Sequence, residues 1–233
     1  CRFGDMSPTE IGASYDQIAE RWNGGEFDRT NGISLHERAL TFLEHGAMAL
    51  DVGCGCSGRF VDLLIDRGFR VEGMDVSEKM VRLARQRYPQ VPFHCVDICS
   101  WEMPSKYDFV SAWDSTWHVP LSMQQSVITK ICRSLNPGGV FIFTTGGMDG
   151  PEEKTVSEMG PTVYYSVLGI PKTLQVLAEA GCVCRHLEYD QYGTPSLYHR
   201  SEELKSTPSG VKILLSVALH ALKRHVNRSP QTR

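Results

Sequence analysis

Short apolar runs alternate with segments of helical periodicity along most of the chain. The apolar runs are bounded by turn-forming residues, which is typical of buried strands, and they predict strands at 47–52, 69–74, 91–96, 107–113, 140–145 and 182–189. Apolar residues at helical spacing predict helices at 60–67, 78–87, 121–135 and 171–180. Because strands that alternate with helices pair in parallel through right-handed crossovers, the pattern predicts an α/β fold with a doubly wound, mostly parallel sheet and helices on both faces.

Two segments lie outside this alternation and are predicted to cover the ligand. Residues 1–45 contain helical patterns before the first strand, and residues 146–168 form an insertion rich in glycine, proline and charge. Ligands of open α/β sheets bind beyond the carboxyl ends of the strands, where both segments would act as a lid. The predicted organisation is N-terminal lid helices at 1–45, a ligand-binding core at 46–200 that includes the insertion, and a tail at 201–233.

A glycine-rich turn at residues 51–58 follows the first predicted strand. A strand, a G-x-G-x-x-G turn and a helix are typical of a nucleotide-binding crevice. Asp51 stands directly before the glycines, where a carboxylate would repel a pyrophosphate but attract a cation. S-adenosylmethionine (SAM) carries an ammonium and a sulfonium and no phosphate, so it fits this turn. A surface or helix-capping aspartate is the alternative explanation of Asp51.

Two more acidic residues follow the next two predicted strands. Asp75 ends the second strand, where an acid can accept hydrogen bonds from both ribose hydroxyls. Asp97 and Ile98 follow the third strand and are placed to meet the adenine amino group and one face of its ring. Met80, near the start of the next helix, is placed to pack on the other face. Acids at three successive strand ends therefore predict one cofactor site.

These stretches resemble the class I SAM-dependent methyltransferases. The resemblance rests on residues 49–60 and 71–80, together with Tyr107-Asp-Phe-Val110 and residues 135–142, and it covers about residues 14–190. It implies a seven-stranded Rossmann-like sheet and the use of SAM, with S-adenosylhomocysteine as product. It further implies that Tyr15 and Trp22 belong to an N-terminal helix over the cofactor; simple helix packing is the alternative.

The predicted site therefore combines the acidic strand ends with the glycine turn and the aromatic cover. Gly53 and Gly55 let the backbone approach the cofactor, and Gly58 allows close packing of the helix. The predicted cofactor-binding residues are Tyr15, Asp51, Gly53, Cys54, Gly55, Gly58, Asp75, Val76, Met80, Asp97, Ile98 and Trp113.

The segment expected to lie nearest the methyl acceptor follows the fourth predicted strand. It is Trp113-Asp-Ser-Thr-Trp-His118. The segment lacks the Asn/Asp-Pro-Pro-aromatic motif of enzymes that methylate nucleobase amines or glutamine amides, and it lacks a Pro-Cys pair that would attack a pyrimidine. His118 is the candidate general base, and Asp114 is a candidate to orient it or to contact the acceptor. A histidine bonded to a nearby backbone carbonyl is the alternative for His118. Four aromatic residues are candidates for the acceptor wall, with core packing as the alternative for each: Trp113, Trp117, Tyr164 and Tyr165.

The C-terminal region departs from the family pattern, in which a final hairpin places an antiparallel strand in the sheet. Residues 196–203 are too polar for a buried strand, and residues 209–226 are apolar with a basic end. One hypothesis is an added amphipathic helix that docks on the domain, a partner or a membrane surface. The other is an altered C-terminus that leaves the sheet with six strands.

Composition and charge narrow the function classes. With 233 residues, 41% hydrophobic and 22% charged, the chain suits one α/β domain, and it has no apolar stretch of membrane-spanning length. All 27 acidic residues lie at or before Glu203, whereas six of the 24 basic residues follow it, so residues 1–203 carry a net charge of −9. This acidic body argues against a nucleic-acid partner. The eight cysteines show no zinc spacing, so no metal site is predicted.

The predicted function is a cytoplasmic SAM-dependent methyltransferase, a monomer or homodimer, that acts on the oxygen, nitrogen or carbon of a small molecule. The cysteine pattern and the absence of a signal peptide in residues 1–10 favour a reducing cytoplasm. Two alternatives remain at this point. One is a non-catalytic SAM-binding or regulatory protein, and the other is a nicotinamide-dependent oxidoreductase, which would not place an acid at position 51.

Overall fold

The computed structural model describes residues 6–25, 27–190 and 212–218. Its main sheet has seven strands in the order β3-β2-β1-β4-β5-β9-β8. The five strands β1 to β5 are parallel, and they are Met48–Val52, Arg70–Asp75, Phe93–Cys95, Tyr107–Ala112 and Leu135–Gly146. At one edge β9 (Lys212–Ala218) pairs antiparallel with β5, and β8 (Val183–Asp190) pairs antiparallel with β9. The predicted doubly wound, mostly parallel sheet is confirmed.

Helices cover both faces of the sheet, and local signals fix where several of them begin. The helices α1 to α7 are Pro8–Ile18, Glu20–Asn23, Ile33–Leu40, Arg59–Asp66, Glu78–Arg87, Leu121–Ser134 and Ile170–Glu179. Ser7 and Glu10 form a capping box at the start of α1, and Ser77 caps α5 by accepting a hydrogen bond from the Met80 backbone N–H. One buried cluster lies under α6 and α7, and another under α3, α4 and α5.

Residues 136–139, which precede the strand predicted at 140–145, lie inside a longer and irregular β5. Leu135 pairs with Tyr107, and pairing then resumes at Val140 opposite Phe109. The intervening residues include Gly138 at φ +80° and Gly139, whose missing Cβ would lie 2.9 Å from the Asn136 carbonyl oxygen. These residues therefore form a bulge inside the strand.

The C-terminal helix predicted over 209–226 is wrong for residues 212–218, which form β9. A short apolar run is ambiguous between a helix and a buried strand, because periodicity alone does not separate the two. Tertiary context decides here: β5 and β8 each present an unpaired edge, and β9 satisfies both edges by pairing between them. The sheet therefore has the seventh strand that the altered-terminus hypothesis would remove. The polar segment 196–203 and the basic residues from 219 onward lie outside the described residues.

The insertion after β5 is a β-hairpin that packs against the N-terminal helix. Its strands are β6 (Glu152–Val156) and β7 (Val163–Val167), which pair antiparallel. Ser14 on α1 donates a hydrogen bond to the Thr162 carbonyl oxygen at 2.7 Å. A separate apolar cluster joins the two elements; its buried members are Ile11, Ile18, Met159, Val163 and Tyr164. The two segments predicted to form a lid thus contact each other.

Candidate functional site

A cavity of roughly 240 Å³ lies at the carboxyl ends of β1, β2, β3 and β4, beneath α1 and the hairpin. All the predicted cofactor-binding and catalytic residues line it except Gly58. Gly58 packs against Tyr88 and does not line the cavity. A Cβ on Gly58 would lie 2.2 Å from the ring of Tyr88, so the position requires glycine. Predicted donor-site and acceptor-site residues therefore face the same space.

The glycine turn has positive φ at Gly53, Gly55 and Gly58, and the first two of these line the cavity. Gly53 has φ +69°, and a Cβ there would meet the Cβ of Ser115 at 2.3 Å. Gly55 has φ +55°, and a Cβ there would have nothing within 4 Å. Gly53 is thus required by contact with the loop after β4, whereas Gly55 lines the cavity and leaves room for a ligand.

Asp51 is a buried carboxyl at the end of β1, with 3% of its surface exposed. Burial raises the pKa of Asp51 to about 7, and the Asp75 carboxylate adds to this, while the Arg59 cation and a hydrogen bond with Ser111 act in the opposite direction. A buried acid with this pKa, facing a cavity, gains most from a cationic ligand.

Asp75 and Asp97 hold the turns that they belong to. The two carboxylate oxygens of Asp75 accept hydrogen bonds from the backbone N–H groups of Ser77 and Gly55, both at 2.9 Å. Burial raises the pKa of Asp75 above its ordinary value despite these bonds. Asp97 accepts from the backbone N–H of Cys99 at 2.8 Å. Each carboxylate is therefore fixed by backbone donors, lines the cavity and keeps unused lone pairs for a ligand.

Lys130 on α6 holds the loop that carries Asp97 and Ile98, and sequence reasoning missed it. Its ammonium donates to the carbonyl oxygens of Ile98 at 2.7 Å, Cys99 at 3.0 Å and Trp101 at 3.1 Å. These bonds use all three ammonium protons. No local motif marks this role, because α6 and the loop meet only in the folded chain.

The geometry around His118 fixes its tautomer. Its Nδ1 lies 2.8 Å from the Tyr164 carbonyl oxygen, which can only accept, so Nδ1 carries a proton. Its Nε2 accepts the indole N–H of Trp117 at 3.1 Å and lies 2.7 Å from the Tyr15 hydroxyl, which donates to it. Burial lowers the pKa of His118 to about 4, so the ring is neutral at pH 7 with its lone pair on Nε2. Tyr15 on α1 therefore closes over the histidine at the cavity wall.

Asp114 lies beside the cation Arg59, which sequence reasoning also missed. The Arg59 guanidinium is 3.8 Å from the Asp114 carboxylate, and its side chain is 10% exposed. Asp114 adopts φ +53°, an uncommon conformation for a residue other than glycine, and its backbone N–H donates to the Thr144 hydroxyl. The Tyr164 carbonyl already orients His118, so Asp114 is not needed for that role. Contact with the acceptor remains the candidate role of Asp114.

Residues 49–139 match the family described as "Methyltransferase domain". The chain is 31% identical over 156 residues to a ubiquinone biosynthesis O-methyltransferase of Idiomarina loihiensis, covering 60% of this chain and 61% of that relative. A second protein of that name, from Dechloromonas aromatica, is 30% identical over 176 residues, covering 70% of this chain and 69% of the relative. The chain belongs to the class I SAM-dependent methyltransferases.

A solved structure that is named for a different activity shows the same fold. The [4+2]-cyclase SpnF matches this methyltransferase-family chain with a TM-score of 0.69 and 20% identity, covering 93% of this chain and 98% of the cyclase. At that identity the likeness shows the fold alone. The reaction must therefore be argued from the site.

The residues at the cavity of this class I methyltransferase fit SAM in shape and charge. Asp51 offers a carboxylate to an ammonium, Asp75 offers lone pairs to hydroxyls, and Gly55 leaves open space at the turn. The described part of the chain holds no group of three or more His, Cys, Asp or Glu side chains that could bind a metal ion. Within residues 6–25, 27–190 and 212–218, no helix is both long and apolar enough to cross a membrane.

Proposed function

We propose that this chain transfers a methyl group from SAM to a ring hydroxyl of a small aromatic molecule. The observation that carries the choice of an oxygen acceptor is the neutral His118 at the cavity wall, whose unprotonated Nε2 already accepts a hydrogen bond from the hydroxyl of Tyr15. Both relatives described above are named as O-methyltransferases, which supports the same choice.

In this proposal the strand ends bind the donor. Asp51 pairs with the ammonium of SAM, Asp75 accepts from the ribose hydroxyls, and Asp97 accepts from the adenine amino group. Met80 and Ile98 enclose the adenine ring with apolar surface. SAM supplies a methyl group bonded to a positively charged sulfur, and that sulfur keeps the bonding electron pair when the methyl group leaves.

In this proposal the aromatic residues around His118 form the acceptor site. Tyr165 lies with its ring centroid 4.7 Å from that of His118 and 6.0 Å from that of Trp117. A flat acceptor ring packs against these side chains at low entropic cost, because they are already held in place. Their position directs a ring hydroxyl toward Nε2.

The proton of the acceptor goes to His118. A ring hydroxyl that replaces the Tyr15 hydroxyl on Nε2 is held for in-line attack on the methyl carbon. As the oxygen–carbon bond forms, the acceptor oxygen becomes strongly acidic, so even a weakly basic imidazole takes its proton. The Tyr164 carbonyl then stabilises the imidazolium by accepting from Nδ1–H.

Two measurements test this function. Calorimetric titration with SAM and with NAD is expected to show binding of SAM only. A screen with methyl-labelled SAM is then run against phenols, catechols, carboxylic acids and amines, and label is expected on a ring hydroxyl. Label on an amine would overturn the oxygen acceptor. SAM binding without transfer to any acceptor would favour the non-catalytic SAM-binding alternative.

We also propose that the protein resides in the cytoplasm. All seven cysteines in the described residues are free thiols, and burial raises the pKa values of Cys54 and Cys56, so both stay protonated. Protonated thiols of this kind suit a reducing compartment. Fractionation of cells that produce the chain at native level checks the location.

Replacing Lys130 by methionine is expected to weaken SAM binding by about tenfold, because the loop that carries Asp97 and Ile98 loses the three charge-assisted hydrogen bonds that fix it. The matched control is Lys106→Met, since Lys106 also donates to a backbone carbonyl, that of Arg133, but at a site away from the loop. Calorimetric titration of both variants with SAM measures the difference. Equal affinities for the two variants would contradict the role of Lys130.

A further inference from the structure

His36 on α3 is fully buried, although it lies outside the cofactor cavity. Its Nδ1 is 2.8 Å from the Gly32 carbonyl oxygen, and its Nε2 is 2.9 Å from the Ser111 hydroxyl. The ring stacks on Phe60 with centroids 3.7 Å apart and an interplanar angle of 15°. Burying a histidine costs more free energy than burying an apolar side chain of similar size. Packing alone therefore does not account for a histidine at this position.

The partners of His36 determine where its proton is. The Gly32 carbonyl only accepts, so Nδ1 carries the proton. Burial lowers the pKa of His36 to about 3, so the ring is neutral and Nε2 accepts. The Ser111 hydroxyl must therefore donate its proton to His36 in this arrangement.

Ser111 also serves Asp51. The two residues are register partners on the adjacent parallel strands β4 and β1 and both are buried, so the Ser111 hydroxyl lies beside the Asp51 carboxyl, where it acts to lower the pKa of that carboxyl. A hydroxyl has one proton. When Ser111 donates to His36, it presents only a lone pair to Asp51, which suits a protonated carboxyl; when it donates to Asp51, it stabilises the carboxylate. His36 and ionised Asp51 thus compete for one proton.

We propose that His36 is a positioning residue that acts through Ser111 to hold Asp51 in its protonated form until a cationic ligand binds. On binding of the cation, the Ser111 proton turns from His36 to the Asp51 carboxylate, and Asp51 releases its own proton to solvent. This proposal rests on the proposed binding of SAM, whose ammonium is the cation that Asp51 meets.

The other charged groups around Asp51 are compatible with this role. Arg59 on α4 favours the carboxylate, whereas Asp75 on β2 disfavours it. Cys54 in the glycine turn is a protonated thiol, and Asp114 after β4 lies against Arg59. The Ser111 hydroxyl bonds to His36 and lies beside Asp51 in register, so these two residues compete for its proton.

The test is the pH dependence of SAM affinity between pH 5.5 and 7.5. The wild type is expected to bind SAM more tightly as the pH rises through about 7, because the ionised fraction of Asp51 increases. His36→Phe keeps a flat ring on Phe60 but removes the acceptor, so Ser111 donates to Asp51 throughout. The midpoint should then fall by about one pH unit, and at pH 6 the variant should bind SAM about fivefold more tightly than the wild type.

Two further variants test the same relay. His36→Gln places an amide oxygen near the position of Nε2 and should keep the midpoint near that of the wild type. Ser111→Ala removes the donor to the carboxylate and should raise the midpoint, which is the opposite direction to His36→Phe. Ser111→Ala also tests the relay by itself if thermal melting shows that His36→Phe does not fold.

The outcomes separate this proposal from the proposed function. A wild type that binds no SAM at any pH overturns the proposed function. A wild type that binds SAM, with a midpoint unmoved in His36→Phe and Ser111→Ala, overturns the relay alone. Uniformly weaker binding of His36→Phe at every pH would show a packing role only and would also overturn the relay.

Discussion

Replacing His118 by alanine is expected to lower kcat by about 100-fold or more, because the acceptor hydroxyl loses the group that takes its proton. The KM for SAM should change less than threefold, roughly, since the proposed donor contacts lie at the strand ends and not at His118. The measurement is steady-state transfer from labelled SAM at saturating concentration of the acceptor that the screen identifies.

Trp117→Phe and Tyr15→Phe are the matched controls for His118→Ala. Each removes one hydrogen bond to Nε2 and keeps an aromatic ring. Both variants should retain more than about a tenth of the wild-type kcat, because the base itself is still present. The pH profile adds a second check: with the pKa of His118 lowered to about 4 by burial, kcat should not fall from protonation of this residue until well below pH 6. Near-normal turnover of His118→Ala would exclude the base role.

The residues at the strand ends could be predicted to line one cavity, because their positions depend on local sequence. Asp51, the glycine turn and Asp75 belong to strand ends and the turns that follow them, and the parallel strand order brings these ends to one edge. An acid at a strand end faces the ligand by the geometry of the fold itself. Elements with strong periodicity were equally predictable, as α5 shows, since its bounds of 78–87 agree with the structure.

Residues that act through long-range contacts could not be predicted in this way. Lys130 bonds to the loop after β3, Tyr164 orients His118, and His36 reaches Ser111 across 75 positions of sequence. Each is an ordinary residue in its own segment, and its role exists only after packing. The sequence did not predict strand β9 for the same reason. Residues 212–218 form a strand because they pair with two distant strand edges, and their own pattern does not determine this.

Replacing Asp51 by asparagine is expected to weaken SAM binding by about 100-fold or more while it stabilises the free protein. The loss of affinity follows from leaving the buried ammonium of SAM without its carboxylate partner. The gain in stability follows from the pKa of Asp51, which burial raises to about 7 in the folded chain, against about 3.9 in an unfolded chain. Folding therefore favours the protonated acid.

The sign of the pH dependence is fixed by this shift. Below about pH 4 Asp51 is protonated in both states, and it costs no stability by ionisation. As the pH rises to about 7 the unfolded state ionises first, so the wild type loses stability, up to roughly 4 kcal/mol, and the loss levels off above that pH. The asparagine variant has no such loss. Urea unfolding without ligand at pH 4, 5.5 and 7.5 should show the two proteins diverging as the pH rises.

Asp108→Asn is the control with the opposite sign. Although burial works against it, the hydrogen bonds from the backbone N–H groups of Ala47 and Met48, together with Asn136, lower the pKa of Asp108. Its stabilisation is therefore present at neutral pH and lost as the pH falls. Asp108→Asn should destabilise the protein most at pH 7.5, where Asp51→Asn stabilises it most. If Asp51→Asn instead destabilised the free protein at pH 7.5, the carboxylate would be part of the fold's own support. Asp51 would then not be an acid held at a cost to stability for a cationic ligand.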